Sequence, residues 1–129
     1  MSTDTNTYRA IMVCVTNQKA CDGLIQRGLM RADEASVVYV VHCVPTGSHF
    51  MDTPYEGDAI EYLFTAAQLA GAQLTLLRED DVDGALVRFA QAHGVDLIIM
   101  GESTSVKNGE SRDVRLQKRL PGTEFEILQ

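Results

Sequence analysis

No apolar run in this chain approaches the roughly 20 residues that a bilayer-spanning helix requires, so membrane insertion is not expected. The first eight residues are polar and lack the basic and apolar regions of a signal peptide, which points to a cytoplasmic location. Cysteine is scarce and odd in number. Cys14, Cys21 and Cys43 lie in or beside apolar segments, and buried free thiols are the expectation rather than a disulfide framework. Cys14 and Cys21 lack zinc-type spacing, and His42-Cys43 is too little for a metal site, so no metal is inferred. Internal repeats, low-complexity tracts and interdomain linkers are also missing. The 129 residues suit one domain with its own core, spanning residues 1–129.

A surplus of positive charge is missing too. The net charge of -7 argues against nucleic acid as a partner. The charge is nevertheless uneven. Residues 101–122 hold five basic side chains (Lys107, Arg112, Arg115, Lys118, Arg119) against three acidic ones (Glu102, Glu110, Asp113), a balance of +2 that leaves -9 for the rest. A basic segment in an acidic protein suggests a confined anion site; a solvated helix face explains it equally well.

What is present is an alternation of strand and helix signals. Residues 10–15 and 37–44 are short apolar runs, the second rich in β-branched residues, and both read as buried strands. Between them, residues 19–35 carry Leu24, Ile25, Gly28, Leu29 and Ala32 at helical spacing. After a loop over 45–52, Thr53-Pro54-Tyr55-Glu56 combines an N-cap threonine, a proline at the first helical position and a capping-box glutamate. Ala59, Ile60, Leu63, Phe64 and Ala67 form the expected buried stripe of that helix, and Gly71 stands just past its end. Residues 73–78 are a third strand. Asp80 and Asp81 suit the positive end of a third helix with Val82, Ala85, Leu86, Phe89 and Ala90 facing inward, ending at His93-Gly94. Residues 97–100 are strand four, 113–120 a short basic helix, 121–122 a turn and 124–128 strand five. Strands alternating with helices give an α/β fold with a parallel sheet and helices on both faces.

The most informative stretch is Asp96-Leu97-Ile98-Ile99-Met100-Gly101-Glu102-Ser103-Thr104-Ser105. An unbroken apolar strand stops at Gly101 and gives way to a hydroxyl-rich turn. In a parallel α/β sheet such a turn lies where ligands bind, and its N–H groups and hydroxyls suit an anion such as a phosphate.

Three segments resemble the universal stress protein family: Met12-Val13-Cys14-Val15-Thr16-Asn17 at strand one, Leu69-Ala70-Gly71-Ala72 before strand three, and Ile99-Met100-Gly101-Glu102-Ser103 at strand four. Within it, Met12-Val13-Cys14-Val15 followed by Leu24-Ile25-Gln26-Arg27-Gly28 looks closest to the stress-protein-like domain of the Kdp potassium-sensor kinase. The resemblance implies a five-stranded parallel sheet of order 3-2-1-4-5. Its ligand site would lie beyond the tips of strands one and four, and a homodimer would form through Glu124–Leu128.

Nucleotide-binding members resemble one another in Gly, two residues, Gly, nine residues, Gly, then Ser or Thr, and tend to carry an aspartate after strand one. Gly101 matches the first glycine. Thr104 stands at the second, Val114-Arg115 replaces the last pair, and Thr16 takes the aspartate's place. Kdp-type domains that bind cyclic di-AMP carry Ser-x-Ser after strand one and Phe-Thr-Ala-x-Tyr at strand two; of these only Tyr39 matches.

The candidate nucleotide-binding residues are therefore Thr16, Gln18, Lys19, Val41, Cys43, Gly101, Ser103, Thr104, Ser105, Arg112 and Arg115. Ser111 and Lys107 offer a further hydroxyl and charge. Val41 and Cys43 could border an adenine pocket, with core packing the safer reading. The ligands implied are ATP, AMP or cyclic di-AMP. No paired acid and base, no nucleophile beside a histidine and no complete phosphate loop is evident, so a non-enzymatic stress-related regulatory protein is expected. The alternatives are a ligand-free dimeric interaction module and a slow nucleotide hydrolase.

Overall fold

The structure is a computed structural model that describes residues 8–16, 18–102 and 106–129. Its centre is a five-stranded parallel sheet made of β1 (Ala10–Cys14), β2 (Val37–Val44), β3 (Gln73–Arg78), β4 (Leu97–Gly101) and, last in the chain, β7 (Glu124–Leu128). The order is β3-β2-β1-β4-β7, with every neighbouring pair parallel. This is the expected order 3-2-1-4-5, because the fifth strand of the sheet is the seventh of the chain. The two extra strands, β5 (Val106–Lys107) and β6 (Glu110–Ser111), make a small antiparallel hairpin that the sequence did not announce.

Parallel neighbours need crossover connections, and the helices supply them. They are α1 (Gln18–Arg31), α2 (Glu56–Leu69), α3 (Val82–Ala92) and α4 (Arg112–Arg119). Strand side chains alternate between two cores. Ile11, Val13, Val38, Val40, Leu97 and Ile99 pack with Leu24, Ile25, Leu63 and Ala67 under α1 and α2. Met12, Cys14, Val41, Ile98 and Met100 pack with Val82, Leu86, Leu116 and Leu120 under α3 and α4. Burial on both faces explains why β1 and β4 read as unbroken apolar runs; each such side chain contributes about 1.5–3 kcal/mol relative to exposure. Among the described residues no helix is long and apolar enough to cross a membrane.

Local departures have local causes. α1 ends at Arg31, short of residue 35, because an aspartate-centred turn takes over: Asp33 Oδ1 accepts from the Ala35 N–H at 2.9 Å, and Ser36 Oγ donates to the Tyr8 carbonyl at 2.6 Å. α2 starts at Glu56 rather than after Thr53. Thr53 Oγ1 accepts from the Tyr55 N–H, and the capping-box glutamate reaches instead to the Phe50 N–H at 2.9 Å, at the 3-10 turn Phe50–Asp52. On α2 the stripe holds at Ala59, Leu63 and Ala67, but Phe64 is more than half exposed. α3 starts as expected: Asp81 accepts from the Gly84 N–H at 3.0 Å, and its apolar stripe is buried.

Candidate functional site

The sheet order reverses direction between β1 and β4, and this is where an open parallel sheet leaves a crevice at its carboxyl edge. Cys14 aligns with Met100 across the β1–β4 pair, so Thr16 and Glu102 leave neighbouring strands at one level. Thr16 is exposed, and Gly101 is half-buried at the end of β4, opposite Leu128. Cys43 is half-buried on β2, while Val41 is fully buried in the core under α3 and α4. Gln18 begins α1, with Lys19 next to it. Ser103, Thr104 and Ser105 lie outside the described residues.

Gly101 is informative because nothing in the described protein requires a glycine there. Its backbone is not left-handed, and a Cβ built on it would meet no described atom nearer than the Leu128 carbonyl oxygen at 4.0 Å. Gly71, Gly94 and Gly109 differ: their φ values of 72°, 62° and 79° explain them by backbone conformation. A glycine at a strand tip without an internal reason suits close approach by something outside the chain.

The arginines show what the sequence did not foresee. Arg112 and Arg115 both turn onto one carboxylate, that of Asp83 in the first turn of α3. Arg112 Nε donates to Oδ1 at 2.8 Å; Arg115 Nε donates to Oδ2 at 2.6 Å, and its Nη2 reaches Oδ1 at 3.3 Å. Arg115 Nη1 also donates to the Glu110 carbonyl at 2.6 Å, holding the hairpin to α4. The Asp83 side chain is 9% exposed, and those of Arg112 and Arg115 are 21% and 11% exposed. Burial disfavours the charged carboxylate, but the hydrogen bonds and charges of Arg115 and Arg112 outweigh it. The Asp83 pKa therefore lies below its ordinary value.

The thiols near the strand ends are held neutral by burial. Burial pushes the Cys14 thiol up to about 12, against the opposing pull of Arg112. Burial also raises Cys43, and Arg112 again opposes it. Lys118 is paired with Glu110, and Lys107 is exposed on the hairpin. Ser111 precedes α4 without capping it through its side chain.

Two further polar features escaped the sequence. His42 is buried on the opposite face, between Val15 and Met51. A pocket of about 380 Å³ opens between α1 and α2, lined by Ile25, Leu29, Tyr62 and Leu69, with the Tyr62 hydroxyl donating to Asp22. It shares no residue with the strand-tip cluster and, apart from that pair, offers little polar chemistry. Asp83 left a faint signal, an acidic residue in a helix's first turn in a chain whose residues 101–122 are locally basic. The 29- and 32-residue separations hid the pairing.

Comparison with known proteins agrees with this architecture. The universal stress protein from Archaeoglobus fulgidus superposes with a TM-score of 0.61 at 16% identity, covering 95% of each chain. A universal stress protein solved in complex with cAMP gives 0.61 at 17% identity, covering 95% of this chain and 97% of that one. The Archaeoglobus fulgidus protein in complex with dAMP gives 0.54 at 17%, covering 95% and 98%. No curated protein matches the chain. At these identities the likeness establishes the fold, and the family rests on the sequence itself. The model of the universal stress protein family matches residues 7–112, most of the chain, and the protein belongs to that family.

Proposed function

We propose that this protein is a non-enzymatic regulatory domain of residues 1–129 that captures an adenine nucleotide beyond the tips of β1 and β4. The observation that carries this is Gly101, a glycine that neither conformation nor internal packing accounts for among the described residues. It stands at the end of β4, at the switch point of the sheet. In this reading Thr16, Gln18, Lys19 and Gly101 border the crevice, and Val41 forms its floor with Cys43 at the rim. Ser103, Thr104 and Ser105 supply hydroxyls, and Arg112 and Arg115 supply charge to the phosphate. Relatives of the same fold solved with cAMP and with dAMP support an adenine nucleotide over a cyclic dinucleotide.

Isothermal titration of the native protein with ATP, AMP and cyclic AMP tests the reading. At least one should bind. Gly101→Val should abolish binding while leaving the circular dichroism spectrum unchanged, since the added side chain points at open space rather than at the core. Silence from all three nucleotides with the native protein would refute the reading.

The finer kinship with the Kdp sensor kinase rests on residues 12–15 and 24–28 and belongs to the same proposal, as does a cytoplasmic setting. So does dimerisation through Glu124–Leu128. That strand forms one edge of the sheet, and edge strands tend to be covered. Light scattering that finds only monomer across a concentration series would remove the dimer. A second reading, a ligand-free interaction module, is favoured by one observation: Asp83 already engages both arginines. The titration decides between the two.

A further inference from the structure

We infer that β3 is a self-pairing edge, to which a second copy of this chain adds its own β3, antiparallel and centred on Thr75. The inference goes beyond the nucleotide reading and stands independently of it. β3 is an outermost strand of the sheet: β2 pairs with it on one side, in unbroken register from Gln73 to Arg78, and no described strand covers the other. Such an edge presents a row of unpaired N–H and C=O groups, and proteins that keep an edge free blunt it with charge, proline or a bulge. β3 has none of these between its ends, where the residues are Leu74, Thr75, Leu76 and Leu77. Its one charge, Arg78, is turned to Glu56 and to the Ser48 carbonyl. The opposite edge differs: on β7, Arg31 holds both Glu124 and Glu126, and Arg27 holds Glu126 as well.

The surface beside this edge is apolar as well. Leu74 and Leu76 are half-buried on the α2 side of the strand. With Gly57, Ile60 and Phe64 of α2 they line a shallow depression at the rim of the sheet, and Phe64 is more than half exposed. A two-fold axis perpendicular to the sheet keeps each face on its own side, so only residues of one face come opposite each other. With the axis at Thr75, that residue meets its own counterpart, Leu74 meets Leu76 of the second copy, and Gln73 meets Leu77 of the second copy. Arg78 then lies level with Ala72, so no like charges oppose each other along the strands. An axis at Leu76 sets Arg78 against Leu74, and an axis at Leu74 shortens the paired run to 73–75. The Thr75 register thus joins leucine to leucine beneath α2, where Phe64 of each copy extends the apolar contact. Glu61 is the charged residue that lines the depression. Two copies bring two of these carboxylates to the seam, which weakens the pairing without changing its register.

A disulfide across the axis reads both the edge and the register. Residues directly opposite in an antiparallel pair have Cα atoms about 4.5–5.5 Å apart, within reach of a disulfide. In a Cys43→Ala background, which keeps only the two buried thiols, Thr75→Cys should form a covalent dimer on mild oxidation with oxidised glutathione. Gln73→Cys should not, because the two copies of residue 73 lie about 13 Å apart along the strands. Sedimentation equilibrium of the native protein should show association that rises with concentration. Phe64→Glu, at an exposed position, should weaken it about tenfold or more, and Glu61→Gln should tighten it severalfold. Native protein that stays monomeric throughout would overturn the inference, as would a Gln73→Cys chain that cross-links as readily as Thr75→Cys.

Pairing at β7 is read separately, since the two strands lie at opposite edges of the sheet. An assembly that persists unchanged in Phe64→Glu and resists the Thr75 cross-link has its seam elsewhere and overturns the inference, leaving the nucleotide reading untouched. Use of both edges would string copies into an open chain, seen as species heavier than a dimer that Phe64→Glu reduces to dimers; that outcome supports the inference. If Thr75→Cys does not fold, the native protein still decides. Hydrogen exchange over residues 73–77 should slow as protein concentration rises, because pairing occupies the outer N–H groups of β3. Exchange there that does not change with concentration would refute the inference.

Discussion

The Nε2 of His42 accepts a hydrogen bond from the Met51 backbone N–H at 2.8 Å. Because Nε2 is the acceptor, the proton sits on Nδ1, which donates to the Val15 carbonyl at 2.7 Å. One neutral ring therefore ties the end of β1 to the 3-10 turn after β2. Met51 needs the tie, since it is buried with φ at 59°, a left-handed conformation that costs a non-glycine residue about 1 kcal/mol or more. Burial lowers the His42 pKa below its usual 6.5, with the Val15 bond opposing. The unfolded chain then takes up a proton that the folded one resists. The stabilisation is complete above about pH 6.5 and is lost as pH falls from there toward the folded pKa. Urea unfolding at pH 7.5 and 5.5 should show this loss. His42→Asn, which cannot be protonated, should weaken stability at pH 7.5 by about 1–3 kcal/mol and flatten the pH slope. An unchanged slope in the variant would place the acid sensitivity elsewhere.

Asp83 should matter to stability. Removing it in Asp83→Ala leaves two largely buried guanidinium groups facing each other without their shared acceptor. The expected loss is about 3 kcal/mol, read as a drop in the urea midpoint. Because the folded pKa lies below the ordinary carboxylate value, this contribution is present at neutral pH and is lost only as the medium becomes acidic enough to protonate the folded carboxylate. A loss below about 0.5 kcal/mol, as for an exposed pair, would show that the cluster is not held as described.

Two glycines of α1 should respond in opposite directions. A Cβ on Gly28 would meet Val13 Cγ2 at 2.7 Å, and that stiff, branched side chain is fully buried on β1. A Cβ on Gly23 meets nothing within 4 Å. Gly28→Ala should cost about 1–3 kcal/mol despite alanine's better helix propensity, whereas Gly23→Ala should gain up to about 1 kcal/mol. Adding Val13→Ala to Gly28→Ala should recover part of the packing strain, measured as a positive coupling in a double-mutant cycle. Equal responses from the two glycines would contradict the close approach of α1 to the sheet.

The three thiols should be separable by reactivity. Cys14 is 5% and Cys21 0% exposed, and burial raises their pKa values to about 12 and about 11. Cys43 is only half-buried. A colorimetric disulfide reagent at pH 7.5 should label one thiol slowly in the native protein and all three in denaturant. Mass spectrometry should place the native label on Cys43. Rapid labelling of all three before unfolding would mean that β1 is open to solvent.

Much of the fold was legible because its signals are local. The apolar runs at 37–44 and 97–100 mark strands at or within one residue of their observed ends, since a largely buried strand cannot hide its composition. Asp81 capped α3, and Gly71 and Gly94 took left-handed conformations as expected, because each depends on a few neighbours along the chain. The start of α2 misled because Glu56 found a better use. Its carboxylate serves the Phe50 N–H, and it also pairs with Arg78 from β3, which no capping motif anticipates. Phe64 misled because helical spacing identifies a face without measuring how far the covering layer extends.

The site divides along the same line. Amino-acid order alone determined that Gly101 ends a buried strand, that Arg112 and Arg115 follow it, and that the chain alternates strand with helix as its family does. Only tertiary structure decided what the arginines do. Asp83 reaches them because the crossover from β3 to β4 lays α3 beside α4 over one face of the sheet, bringing together residues 29 and 32 positions apart. His42 likewise gains both partners only when β1, β2 and the following turn are in place. Periodicity records which side of an element faces inward, because each residue's burial selects its own type. A hydrogen bond or ion pair between distant residues selects only two polar side chains among many, and folding alone reveals which two meet.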